Sequence, residues 1–99
     1  MSRARDMRRS RREPMEGRIT VAWSDERGRM WETRGRLRDV SGQGVGAEVR
    51  DPIPQGALVS LHVRPAGWRR TGIVRHCSRT GTRYRLGIEG CDIAWCRYA

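Results

Sequence analysis

From Gly17 onward, apolar and polar residues alternate with the period of two expected of a strand that buries one face. Ile19, Val21 and Trp23 share a face. The stretch "SDERG" then supplies turn residues, and Trp31, Thr33, Gly35 and Leu37 continue the alternation, so the two segments read as a hairpin. Val45, Ala47 and Val49 alternate next with Gly44, Gly46 and Glu48, until "DPIPQG" stops that strand with two prolines and a glycine. Leu58 to Val63 read as a fourth strand and "RPAGW" as a turn. Gly72 to His76 and Tyr84 to Ile88 then read as a pair around "SRTGT". Six strands without an intervening helical period predict an all-β antiparallel barrel or sandwich. The final "CDIAWCRYA" is expected to add a short helical turn over the barrel.

The chain has 99 residues, enough for one domain with one small core. Residues 1–16 read as a flexible arginine-rich segment and 17–99 as the barrel domain. In the first of these, Arg3, Arg5, Arg8, Arg9, Arg11 and Arg12 are opposed only by Asp6, and Pro14 stops any helix. Residues 1 to about 14 are expected to be disordered alone and to become ordered when an anion neutralises them. All 21 basic residues are arginine, and Lys, Asn and Phe are absent, which is the pattern of a GC-rich genome. Part of the arginine excess is therefore codon usage. The net charge of +10 nevertheless favours a phosphate-bearing partner.

No apolar run is long enough for a membrane span or signal peptide, so a cytoplasmic protein without membrane insertion is expected. Cys77, Cys91 and Cys96 are odd in number and lack zinc-site spacing. They read as reduced structural thiols, with no metal and no cofactor. His76 and Cys77, as strand neighbours, point to opposite faces. No histidine or carboxylate has a partner at a spacing that suggests catalysis, so the protein reads as a non-enzyme.

Two stretches carry candidate binding chemistry. In "RRSRR", Arg8 and Arg12 are four apart and fall on one side of the chain whether it is helical or extended. Their forked donors match phosphate oxygens and the N7 and O6 acceptors of guanine. The plain alternative is a solvated basic tail. In "DVSGQG", Asp39 and Ser41 are two apart and face the same way in an extended chain, and a carboxylate accepts hydrogen bonds from guanine N1 and N2. Gly44 and Gly46 would leave one face of the next strand bare for a base or phosphate. Here the plain alternative is a tight turn with a bulge. Neither a dinucleotide fingerprint nor a P-loop is present.

Together, Arg8 to Arg12 as RxxxR, and Asp39, Ser41 and Gly44 as DxSxxG, resemble the two motifs of the PilZ domain, the bacterial receptor for the second messenger cyclic di-GMP. The resemblance continues through "GRLRDVSGQGVGAEV" and "GIVRHCSRTGTRYRLGIE", covering roughly residues 8 to 90. It implies a six-stranded antiparallel PilZ-like β-barrel that binds cyclic di-GMP on its outer face under the arginine segment. By the same resemblance, Arg8 and Arg12 hold guanine edges and phosphates, Arg9 assists, Asp39 and Ser41 hold a guanine, and Gly44 allows close backbone approach. The arginine register stays open by one residue, because Arg9 and Arg11 offer alternative pairs.

The function implied is that of an effector or adaptor that binds cyclic di-GMP and signals to a downstream protein. Two alternatives stand beside it: a small basic barrel that binds single-stranded nucleic acid, and a PilZ-like protein-interaction module that does not bind the nucleotide. Trp68 in "AGWRR" suits stacking on a base, but a tryptophan at a strand end more often plugs a barrel.

Overall fold

The computed structural model describes residues 13–90. Six strands run in chain order: β1 (Glu13–Ser24), β2 (Met30–Val40), β3 (Gly44–Val49), β4 (Leu58–Arg64), β5 (Trp68–Thr80) and β6 (Arg83–Gly90). All neighbours are antiparallel, and the sheet closes on itself as β1-β2-β3-β6-β5-β4, with β4 returning to pair with β1. Closure gives every strand a neighbour on both sides, although β1 before Arg18 and β5 after Ile73 pair within the sheet on one side only. The six strands expected from the alternation are present, and they form the closed barrel that the resemblance implies rather than the sandwich that the alternation also allowed. No helix occurs among the described residues, so none there is long and apolar enough to cross a membrane. The helical turn expected over residues 91–99 lies outside the described residues.

The alternating residues fill the barrel. Ile19 and Val21 from β1, Leu37 from β2, Val45, Ala47 and Val49 from β3, Val59, Leu61 and Val63 from β4, Val74 from β5, and Leu86 and Ile88 from β6 are buried together. Ile53 joins them from the proline-containing loop, outside any strand. Thr33 holds that loop in place, since its hydroxyl donates to Asp51 Oδ2 at 2.9 Å and accepts from the Asp51 amide at 3.1 Å. Trp68 packs against the core at the start of β5, with the Arg70 guanidinium 5.2 Å from its ring centroid, which favours the plug.

At the β1–β2 turn, Asp25 Oδ1 accepts from the amides of Arg27 and Arg29, and Asp25 Oδ2 accepts from Trp31 Nε1 at 2.9 Å. Gly28 completes this turn at φ 79°, a backbone state that suits glycine.

β1 begins at Glu13, four residues ahead of the first alternating position. Pro14, Met15 and Glu16 are exposed, so no apolar pattern marks this part of the strand. Backbone pairing forms it instead, with Glu13 opposite Val40 and Pro14 opposite Asp39.

Candidate functional site

Asp39 reaches the outside of the barrel through a bulge. Leu37 pairs with Ala47 and Asp39 with Gly46, so Arg38 is the extra residue on β2. Strict alternation from the buried Leu37 would turn Asp39 inward. The added residue reverses the phase, leaving Arg38 exposed, Asp39 outward and half-buried, and Val40 packed against the core. The Asp39 carboxylate lies over Gly46, where a Cβ would stand 2.7 Å from Oδ1. The face expected to be bare at Gly46 is thus covered by the acid itself.

Ser41 lies past the end of β2 and is buried. Its amide donates to the Gly44 carbonyl at 2.9 Å, and its hydroxyl accepts from the Gln43 amide at 3.2 Å. Asp39 and Ser41 therefore do not share one extended segment: the first sits on the sheet and the second closes the turn into β3. Gly44 has a structural reason of its own, because a Cβ there would collide with the Ile88 carbonyl of β6. The tight turn and bulge considered as the plain alternative are both present, and the bulge is what turns the acid outward.

An open concavity of about 1130 Å³ adjoins Asp39. One wall is Pro14–Arg18 of β1, another is Arg36–Asp39 of β2, and Arg64, Pro65 and Arg85 complete it. Its volume slightly exceeds the usual range for small-molecule sites. Arg18 stands opposite both Arg36 and Arg64 in the ladder, so three guanidinium-bearing positions adjoin across three strands. Like charges in such pairs repel, and a bound anion relieves the repulsion. The positive field is also felt at His62 on β4, whose imidazole is held below its usual pKa first by burial and then by Arg69 and Arg64.

Arg8, Arg9 and Arg12 lie outside the described residues. The register nevertheless bears on them, because Glu13 follows Arg12 in the chain and Pro14 pairs with Asp39.

The same outer face extends past Asp39. Gly46 pairs with Gly87 of β6, and Gly87 pairs with His76 of β5, so Asp39, Gly46, Gly87 and His76 form one row across four strands. The His76 ring lies on Gly87 so closely that a Cβ there would overlap it. His76 also lines a smaller concavity of about 450 Å³ with Ser41, Gly44 and Glu89. The sequence offered His76 only as a strand neighbour of Cys77 and marked neither Gly87 nor Arg85 as a site residue. The one available signal was Gly87, a lone glycine inside the pattern "YRLGIE", which marks close approach of another group.

Cys77 points to the interior side and packs against the core, opposite His76 in direction as expected, whereas Cys91 and Cys96 lie outside the described residues. Among the described residues, no three of His, Cys, Asp and Glu come together as metal ligands would.

The family model for the PilZ domain matches residues 6–94. Among solved structures, the PilZ domain with c-di-GMP of YcgR from Escherichia coli resembles the chain with a TM-score of 0.62 at 18% identity, over 92% of this chain and 84% of that one. No curated protein matches the chain in sequence.

Proposed function

The chain belongs to the PilZ domain family, and on that premise we propose that it binds cyclic di-GMP on the outer barrel face beside Asp39 and relays the signal to a downstream protein without catalysing a reaction. In this reading Arg8 and Arg12, helped by Arg9, hold phosphates and guanine edges. Asp39 accepts hydrogen bonds from a guanine Watson–Crick edge. Ser41 and Gly44 shape the turn that borders the ligand. The signal is the change in the arginine segment as it closes over the bound nucleotide, and no resident cofactor is needed.

One observation carries the reading: an acid is turned outward, by a bulge, at the lip of a concavity whose charged lining is five arginines, Arg18, Arg36, Arg38, Arg64 and Arg85, against one other acid, Glu16. A surface for a phosphate polymer gains nothing from a carboxylate there, because it repels the backbone it should attract. A site that reads a base has use for an acceptor. The pairing of Pro14 with Asp39 supports the same reading, since the arginine motif is joined to β1 immediately beside the acid.

The cross-strand arginines Arg64, Arg18 and Arg36 favour a second reading, a nucleic-acid surface. Calorimetric titration with cyclic di-GMP, GMP and a short single-stranded oligonucleotide separates the two. Saturable binding of cyclic di-GMP with little salt dependence supports the proposal. Preference for the oligonucleotide, with affinity falling steeply as salt is raised, overturns it.

A further inference from the structure

We infer that His76 is the far wall of this nucleotide site and touches the bound cyclic di-GMP directly, an inference that rests on the proposed function above. A second bulge lies on β5, where Val74 pairs with Ile88 and His76 with Gly87, so Arg75 is the extra residue. Strict alternation from the buried Val74 would turn His76 inward and Cys77 outward. The bulge reverses both, leaving His76 exposed and Cys77 against the core.

Arg38 on β2 and Arg75 on β5 thus have the same consequence on two separate strands. Each turns outward a polar residue that the alternation would have buried, and the two residues stand at opposite ends of one row. Bulges gather where a side chain must be re-aimed at a site. Between Asp39 and His76 lie only Gly46 and Gly87, and each glycine lies under one of the two side chains. The carboxylate and the imidazole therefore lie over neighbouring glycines, and a dinucleotide seated on this face meets both.

The smaller concavity that His76 lines also holds Ser41, Arg75 and Glu89, and Glu89 is paired with Arg75. The imidazole brings two contacts to this end of the row: a flat ring face on which a guanine can stack, and a ring N–H that can donate to a phosphate oxygen.

The test is calorimetric titration of the full chain with cyclic di-GMP, comparing wild type, His76→Ala and His62→Ala, these being the two histidines of the chain. His76→Ala is expected to bind about tenfold more weakly, as when a base-stacking or oriented hydrogen-bond contact is lost, with the circular dichroism of the wild type. His62→Ala is expected to bind as the wild type. Wild-type affinity in His76→Ala overturns this inference and leaves the nucleotide site standing. Absence of binding in the wild type overturns both.

Discussion

The carboxylate of Asp39 on β2 occupies the space that a side chain at Gly46 on β3 would fill, with 2.7 Å separating Oδ1 from the position of such a Cβ. The two residues are ladder partners, so the acid lies flat against the sheet as an outward acceptor.

Asp39→Ala and Arg12→Ala are each expected to weaken cyclic di-GMP binding by about 1.5–3 kcal/mol, roughly ten- to a hundredfold or more, with the barrel intact. Arg27→Ala, on the exposed hairpin turn, is expected to leave affinity within about twofold, because charges beyond about 8 Å are screened at physiological ionic strength. The sign at Asp39 discriminates. Calorimetry showing equal or tighter nucleotide binding in Asp39→Ala would remove the acid from the site.

Gly46→Ala places a methyl group where the Asp39 carboxylate now rests. The end of a short side chain can rotate away, so the fold is expected to survive while the acceptor moves. Circular dichroism should remain that of the wild type, and affinity should fall about tenfold, as expected when one oriented hydrogen bond to a charged group is lost.

Gly44→Ala presents a different obstacle, the backbone carbonyl of Ile88, which cannot move without parting β3 from β6. Overpacking of this kind costs about 1–3 kcal/mol. A thermal melt is expected to show a midpoint lower by about 4–8 °C for each kcal/mol lost. A melt equal to that of Gly46→Ala would contradict the distinction drawn between the two glycines.

Thr33→Val keeps the shape of a buried side chain but removes both hydrogen bonds to Asp51. The loop that carries Ile53 into the barrel is then held less firmly. A loss of about 1–3 kcal/mol is expected in urea unfolding, as for other buried groups left without a partner.

Asp25 gives the barrel an acid-sensitive turn. Its hydrogen bonds from Trp31 Nε1 and from the amides of Arg29 and Arg27 hold the carboxyl below its usual pKa. A carboxyl whose pKa is lower in the folded than in the unfolded chain contributes stability above the unfolded value, about 3.9, and loses it as pH falls through the folded value. Urea midpoints measured from pH 5 to 2.5 should therefore fall less steeply in Asp25→Asn than in the wild type. Parallel curves would show that the turn carries no such linkage.

The sequence by itself determined the strands and the turns, because each is a local consequence of side-chain period and turn chemistry. The alternation left barrel and sandwich open, and the pairing of β4 with β1 decides for the barrel. Val45, Ala47 and Val49 alternate in the chain and are buried together in the barrel. The arginine pair and "DVSGQG" were also legible, since both motifs are contiguous. The direction of Asp39 and of His76 was decided only in three dimensions. A bulge is an event in the pairing of two strands, and counting by twos along one strand cannot reveal that Arg38 and Arg75 each lack a partner position. The Gly46–Gly87 pairing likewise joins residues far apart in sequence, and only closure through β3 and β6 makes them neighbours. Ile53 escaped notice for a related reason: it lies between two prolines in a loop without periodicity, and its burial depends on the Thr33–Asp51 bonds that fold the loop over the barrel end.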